Sequence, residues 1–183
     1  NISPVNLASS LGFNFQTYHS LSDLDYSKFI DYIFLIGGAG IIPEKLARCC
    51  KILNSHPGIL PLVRGLDALK WALWEDKPIG VTVHLVSEKP DSGTIIAQQQ
   101  LEMDPFDNIQ SIGARLYDLE IKLLVDSVEV LNSVTKGQMP AISDDISIVH
   151  KRMPKKIEIA LLRKIIDRQY TYLREVEKDE DQI

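Results

Sequence analysis

Long hydrophobic runs and an excess of basic residues are both missing from this sequence of 183 residues. No apolar stretch reaches the roughly 20 residues of a membrane-spanning helix, and the first residues lack the basic start and apolar core of a signal peptide. The formal net charge is -5 at pH 7, and the lysines and arginines are scattered. We therefore expect a cytoplasmic protein that binds neither membranes nor nucleic acid.

Cysteine is also scarce, since Cys49 and Cys50 are the only two. A disulfide between adjacent residues near a helix end would be strained, so we expect both thiols to be reduced. No metal ion is predicted. The length fits one domain with a sizeable core, or one domain with a helical appendage.

What the sequence does contain is an alternation of strand-like and helix-like segments. Strands are predicted at residues 13–18, 32–36, 51–54, 79–86 and 94–102, and helices at 4–11, 43–50, 66–74, 108–134 and 155–176. The apolar run 32–36 is typical of a strand that is buried on both faces. This pattern predicts an α/β fold with a Rossmann-like, mostly parallel sheet flanked by helices over residues 1–135, and a C-terminal helical extension over residues 136–183.

Glycine-rich or polar segments follow three of the predicted strands, at residues 37–40, 54–58 and 87–91. In open α/β sheets, ligands bind beyond the carboxyl ends of neighbouring parallel strands. We therefore expect these three loops to form one cleft.

Asn54, His56 and Asp91 are the residues in these loops with the most useful chemistry. An amide donor, a titratable imidazole and a carboxylate that keeps the imidazole charged are sufficient to transfer an acyl group to an amine. Each also has a structural interpretation when it is taken alone. Asn54 could end a strand, His56 could donate to a backbone carbonyl, and Asp91 could form a turn.

These residues belong to a longer ordered set. Its segments are Asn54-Ser55-His56-Pro57-Gly58-Ile59-Leu60-Pro61, Arg64-Gly65, Gly80-Val81-Thr82-Val83-His84 and Asp91-Ser92-Gly93-Thr94-Ile95-Ile96. From about Tyr32 to Leu131, the set resembles the formyltransferase family that uses 10-formyltetrahydrofolate. That family includes glycinamide ribonucleotide transformylase, methionyl-tRNA formyltransferase, sugar-nucleotide N-formyltransferases and formyltetrahydrofolate hydrolase.

The resemblance implies that Asn54, His56 and Asp91 are catalytic. Asn54 and a protonated His56 would donate hydrogen bonds to the formyl oxygen while an amine attacks. Asp91 would keep His56 charged and help to take the proton from the amine. The resemblance also implies a cis peptide bond between Leu60 and Pro61.

The resemblance further implies that the formyl donor, 10-formyltetrahydrofolate, places its pterin ring between two loops. The residues of these loops are Ala39, Gly40, Ile41 and Ile42 in one, and Ser87, Glu88, Lys89 and Pro90 in the other. Small residues let the backbone approach the ring, and the two isoleucines could supply an apolar wall.

Four further residues are predicted to contact the substrate or to support the catalytic groups: His84, Arg64, Pro57 and Gly58. His84 is either a buried structural histidine or a residue that orients a catalytic group. Arg64 either forms a salt bridge or binds an acidic substrate. His150, in contrast, is expected at the surface.

The resemblance leaves the acceptor open. His84 and the long helix after Asp107 are similar to the glycinamide ribonucleotide enzymes, whereas residues 40–43 and 64–65 are similar to the branch that acts on methionyl-tRNA and amino sugars. The acidic charge disfavours tRNA, so we expect a primary amine on a small phosphorylated or nucleotide-linked molecule. The alternatives are a formyltetrahydrofolate hydrolase, and a non-catalytic relative that binds folate or a partner. A homodimer through the C-terminal helices is also expected.

The N-terminal part differs from the ribonucleotide transformylases. Residues 1–135 have no counterpart of their first strand, of the glycine-rich phosphate loop or of the helix that follows. We expect either that the protein is shortened in this region or that an N-terminal strand and helix are missing from this sequence.

Overall fold

The computed structural model describes residues 2–38, 40–133 and 148–180. The strands are β1 (Ile33–Ile36), β2 (Lys51–His56), β3 (Arg64–Gly65), β4 (Gly80–Leu85), β5 (Ile95–Gln100) and β6 (Val149–His150). The helices are α1 (Pro4–Ser10), α2 (Glu44–Cys49), α3 (Ala68–Trp74), α4 (Ile109–Ser133) and α5 (Lys155–Glu180). Two short 3-10 helices, Leu21–Asp23 and Tyr26–Phe29, precede β1.

The main sheet has the order β1-β2-β4-β5. β1 and β2 pair in parallel and place Ile36 beside Asn54. β4 is antiparallel to both of its neighbours, β2 and β5. β1, β2 and β5 therefore run in one direction, and only β4 of these four strands runs in the other. The predicted α/β fold, with a mostly parallel sheet flanked by helices, is confirmed.

The direction of β4 changes how the expected cleft is built. Leu85 at the end of β4 pairs with Leu53, whereas Thr82 near its start pairs with His56 at the end of β2. The loop after β4 therefore leaves the sheet at the opposite end and turns back to bring Asp91 near His56. The expectation that all three loops follow strands of the same direction is wrong for this loop.

The main core lies between the sheet and the helices α3, α4 and α5. Its fully buried members include Leu53, Val63, Val81, Val83, Ile112, Leu116 and Leu161. Because Leu161 and Met153 belong to this cluster, the C-terminal segment shares a core with the sheet. The boundary predicted after residue 135 lies outside the described residues. A second cluster joins Tyr26, Leu46, Cys50 and Ile52.

The region before β2 is less buried than the sequence predicts. β1 lies at the edge of the described sheet, and Leu35 is 46% exposed, so the prediction of a strand buried on both faces is wrong. Residues 13–18, also predicted as a strand, form none. β1 has no described neighbour strand on its outer side to cover it.

The helix ends agree with the sequence at several points. Asn108, the first residue of the predicted helix 108–134, accepts hydrogen bonds from the backbone N–H groups of Gln110 and Ser111 at the start of α4. α5 continues to Glu180, four residues beyond its predicted end at residue 176. No helix among the described residues is both long and apolar enough to span a membrane.

Candidate active site

A buried threonine fixes the loop that follows β2. The Thr82 hydroxyl donates to the Gly58 carbonyl at 2.7 Å and accepts from the Leu60 N–H at 3.0 Å. The Gln98 amide donates to both Thr82 Oγ1 and the Leu60 carbonyl at 2.9 Å. The peptide bond between Leu60 and Pro61 is cis, which confirms the prediction.

Sequence reasoning missed Thr82 and Gln98 as parts of the site, although one signal for Thr82 is present. Thr82 and His84 alternate with Val81 and Val83 in β4, so two polar side chains share one face of a strand that is buried on both sides. Buried polar groups are normally hydrogen-bonded, which points to a structured polar network on that face.

His56 lies at the end of β2 and is almost completely buried. Its Nε2 is 2.9 Å from the Val63 carbonyl oxygen, and its Nδ1 is 3.5 Å from Asp91 Oδ1. The contact with Val63 has the length of a hydrogen bond, whereas the contact with Asp91 has the longer separation of an ion pair. Both ring nitrogens face acceptors, so each can donate when it carries a proton. Because Nε2 is committed to Val63, Nδ1 is the ring atom available for chemistry.

Gly58 is required by the position of the His56 ring. A Cβ atom on Gly58 would lie 2.8 Å from His56 Nε2 and 3.0 Å from the Val63 oxygen. A larger residue would displace the ring from its carbonyl. Gly58 therefore leaves room for the His56 ring, and Pro57 lies half-buried between the two.

Asp91 closes the other side of the imidazole. Its backbone has a positive φ of 48°, a conformation that aspartate adopts more readily than most residues. Its Oδ2 accepts a hydrogen bond of 2.7 Å from the Gly65 N–H, and its Oδ1 faces His56. The structure thus brings together the predicted histidine and carboxylate, and it adds Gly65, which belongs to the ordered set but is not among the predicted site residues.

Asn54 and His84 form a second polar pair across the β2–β4 ladder. His84 Nδ1 lies 3.0 Å from the Ser92 carbonyl and 3.2 Å from the Leu85 carbonyl, so we assign its proton to Nδ1. Nε2 then accepts from the Asn54 amide nitrogen at 3.2 Å. Burial, and then the nearby His56, lowers the pKa of His84, which keeps its ring neutral near pH 7. His84 is therefore both buried and placed to orient the Asn54 amide.

Arg64 is buried rather than exposed. Its Nη2 donates to the Pro90 carbonyl at 2.8 Å, while its Nε is buried without a hydrogen-bond partner among the described atoms. Of the two sequence interpretations, a salt bridge does not form within the part of the chain that the structure describes. The guanidinium instead contacts the loop that carries Asp91.

In the first predicted cofactor loop, residues 39–42, some side chains are exposed to a ligand and others pack inward. Ile41 is 92% exposed, as an apolar residue would be at an open ligand surface, and Gly40 is also exposed. Ile42 instead packs against the second cluster, together with Val86. Ala39 lies outside the described residues.

The second predicted cofactor loop is held by short polar contacts. Ser92 Oγ donates to the Lys89 carbonyl at 2.7 Å and lies 2.5 Å from Ser87 Oγ. Glu88 forms an ion pair of 2.6 Å with Arg48 of α2. Glu88, Lys89 and Pro90 are exposed. Because Val86 and Ile42 pack on the same cluster, the two predicted cofactor loops flank one surface.

A cleft of about 300 Å³ lies elsewhere, where α5 packs on the connection between β5 and α4. Its lining includes Met103, Asp104, Arg168 and Tyr172. None of the predicted site residues lines this cleft. Its lining has no histidine beside a carboxylate, unlike the site at His56 and Asp91. The catalytic site predicted at Asn54, His56 and Asp91 is therefore separate from this cleft.

Comparison with known proteins identifies the class. Residues 19–128 match the family model described as formyl transferase, and this region contains Asn54, His56, Asp91 and both predicted cofactor loops. The match covers more than half of the chain. The chain belongs to the formyltransferase family, as the sequence resemblance predicted, and that family uses 10-formyltetrahydrofolate.

Individual relatives differ in their named substrates. Phosphoribosylglycinamide formyltransferase of Haemophilus influenzae is 30% identical over 82% of this chain and 71% of its own length. The enzyme of the same name from Bacillus subtilis is 38% identical over 51% of this chain. A dTDP-4-amino-4,6-dideoxyglucose formyltransferase of Mycobacterium bovis is 30% identical over 49% of this chain. This chain spans 49% and 38% of the length of the latter two relatives.

The fold is shared with solved structures. Formyltransferase PseJ from Anoxybacillus kamchatkensis, solved with UDP-4,6-dideoxy-4-formamido-L-AltNAc and tetrahydrofolate, has a TM-score of 0.62 and is 24% identical. The similarity covers 86% of this chain and 85% of that one. At this identity the likeness establishes the architecture alone.

Proposed function

We propose that this protein transfers the formyl group of 10-formyltetrahydrofolate to a primary amine on a small phosphorylated or nucleotide-linked acceptor. The observation that carries the proposal is that β2 supplies Asn54 and His56, and that a separate loop brings Asp91 to His56. Asn54 is oriented by His84, and His56 lies between the Val63 carbonyl and Asp91. An amide donor, an imidazole with two acceptors and a carboxylate are the groups that acyl transfer to an amine requires.

Two donors are available for the formyl oxygen. His84 uses one N–H of Asn54 and leaves the second, while the Val63 carbonyl uses Nε2–H of His56 and leaves Nδ1–H. As the amine attacks the formyl carbon, negative charge develops on this oxygen, and these N–H groups stabilise it. Removing one such donor typically lowers kcat by about 100- to 1,000-fold.

Asp91 has two roles in the same step. Its Oδ1 favours the charged form of His56, and it can accept the proton that the amine must lose, directly or through water. A bond forms between the amine nitrogen and the formyl carbon, and the bond from that carbon to N10 of the folate breaks. The amine loses one proton, and N10 gains one.

The folate would lie against the two loops that flank the second core cluster. Exposed Ile41 offers apolar surface to an aromatic ring, and Gly40 leaves the backbone of the first loop accessible. Ser87, Glu88, Lys89 and Pro90 form the opposite side in this proposal. The residues present therefore fit a flat, partly polar ring.

The acceptor class follows from the relatives rather than from the site alone. Their names support both a ribonucleotide and a nucleotide-linked amino sugar. The homodimer predicted through the C-terminal helices is not tested by these observations and stays a prediction.

The decisive experiment is conversion of 10-formyltetrahydrofolate to tetrahydrofolate by the purified chain, first alone and then with glycinamide ribonucleotide or amino-sugar nucleotides. We expect conversion that depends on an acceptor. Conversion at the same rate without an acceptor would identify a hydrolase instead. Folate binding without any conversion would identify a non-catalytic relative.

A further inference from the structure

The orientation of Asp91 depends on one backbone group. The Gly65 N–H donates to Asp91 Oδ2 at 2.7 Å, while the contact of Oδ1 with His56 Nδ1 is longer, at 3.5 Å. Since the contact with His56 is the weaker of the two, the position of Gly65 determines how the carboxylate faces the imidazole.

Gly65 is in turn fixed by the C-terminal segment. β3 and β6 pair in parallel, with Gly65 beside His150. Gly65 has a φ of 94°, and a Cβ atom on it would lie 2.1 Å from the His150 oxygen. The next residue, Leu66, donates its N–H to the same oxygen at 2.9 Å. Only glycine allows the two backbones to approach this closely.

β6 is itself anchored to α3 by specific contacts. The His150 ring stacks on Trp71 with centroids 4.4 Å apart, and Trp71 Nε1 donates to the Lys151 carbonyl at 2.9 Å. The Met153 N–H donates to Asp67 Oδ2 at 2.9 Å. His150 therefore lies against Trp71 and is largely buried, so its predicted surface position is wrong.

We propose that Gly65 and the C-terminal segment 149–153 are positioning elements of the active site, which aim the Asp91 carboxylate at His56 through the Gly65 N–H. This inference rests on the proposed function for its kinetic consequence, but not for its geometry. The C-terminal segment would thus contribute to catalysis without touching the substrate.

Two variants test the chain of contacts. Gly65→Ala forces β3 away from β6, and Trp71→Phe removes the indole N–H from Lys151 while it keeps a ring against His150. Trp74→Phe is the matched control, since this residue lies on the same helix and makes no contact with β6 that the structure records. Far-UV and near-UV circular dichroism establish whether each variant is folded. If Gly65→Ala does not fold, the result for Trp71→Phe tests the proposal.

The first measurement is the pH titration of the His56 ring by NMR, without substrate. The titratable groups that face this ring are Asp91, 3.5 Å from Nδ1, and the nearby His84. We expect Gly65→Ala, and to a smaller extent Trp71→Phe, to move the His56 titration toward acid, whereas Trp74→Phe leaves it unchanged. Folded Gly65→Ala and Trp71→Phe proteins with the parental titration would overturn the proposal.

The second measurement is steady-state kinetics, combined with Asp91→Asn in a double-mutant cycle. We expect Gly65→Ala to lower kcat roughly 10-fold with little change in KM, because a misplaced catalytic group slows the chemical step. In the Asp91→Asn background the same change should cost nothing further. Losses that multiply would contradict a role through Asp91. If the parental protein shows no turnover but the variants still shift the His56 titration, the positioning role stands and the proposed function is rejected.

Discussion

The segment from β2 to β5 and the N-terminal stretch, residues 2–20, are built in opposite ways. In the first, Leu53, Val81 and Val83 are fully buried, and the polar Thr82 makes three hydrogen bonds. In the second, α1 contains no buried residue, and Phe13 is 68% exposed. The predicted catalytic groups lie in the segment where packing and hydrogen bonds fix each side chain. The comparison shows that the packed segment provides the fixed side-chain geometry that the proposed chemistry would need.

The energetic consequence is a difference in tolerance to substitution. A buried polar group that loses its partner costs about 1–3 kcal/mol, and a buried leucine replaced by alanine costs about 2–5 kcal/mol. Substitutions at exposed positions usually remain within about 0.5 kcal/mol. The packed segment should therefore be sensitive in both stability and activity, and the N-terminal stretch in neither.

The largest effect is expected for His56→Ala. It removes the Nδ1 donor, and we expect kcat to fall by at least about 100- to 1,000-fold. His19→Ala is the matched control, because His19 is exposed in the N-terminal stretch. Since His56 is buried and bonded to Val63, the thermal midpoint of the variant is measured together with its rate. Parental activity in a folded His56→Ala protein would refute the mechanism.

Asp91→Asn should produce the next largest loss, roughly 100-fold in kcat, since it removes the proton acceptor of the amine. Without the carboxylate the charged imidazole is less stable, so the decline of activity with rising pH should begin at a lower pH. The pH profile of kcat/KM measures this shift. Asp31→Asn, an exposed carboxylate next to β1, is the control and should keep the parental profile.

The sequence allowed much of this site to be predicted because its signals are local. The run from Asn54 to Pro61 is continuous in sequence and covers the end of β2 and the loop that follows. The cis peptide and the contact between His56 and Asp91 agree with its resemblance to formyltransferases. The helices were predicted from periodicity, which tertiary packing did not override.

What the sequence did not reveal depends on pairing between distant segments. The direction of β4 cannot be read from its apolar pattern, because a strand buried on both faces looks the same in either direction. The pairing of Gly65 with His150 joins residues that are far apart in sequence, and neither has a local signal for it. The exposure of β1 likewise depends on which strands lie beside it, not on its own residues.

Glu120→Gln tests, through stability, the burial of α4, a helix that shares the main core with the sheet. Burial on α4 raises the pKa of Glu120 from 4.5 to about 7. Between these pH values the folded state binds more protons than the unfolded state, so this group's contribution to stability is lost as the pH rises through about 7. Glutamine avoids that loss, and we expect it to stabilise the protein at pH 8 by about 1 kcal/mol after allowance for solvent screening.

Thermal unfolding of the Glu120 variant at pH 8 and pH 4.5 measures the difference, which should nearly vanish at the lower pH. Glu129→Gln is the control, since Glu129 is exposed on the same helix. An equal gain at both pH values, or an equal gain in the control, would show that desolvation of Glu120 is not the cause.

The smallest effect is expected for Leu7→Ala in α1. Leu7 is 48% exposed, and leucine and alanine both favour helices, so the free energy of unfolding should change by less than about 0.5 kcal/mol. Leu53→Ala, in the fully buried position of β2, should lower it by about 2–5 kcal/mol. Urea unfolding of the two variants compares the regions directly. A loss above about 1 kcal/mol for Leu7→Ala would mean that α1 is covered in solution. The difference in burial between the two regions would then hold for the single chain alone, and not for the protein in solution.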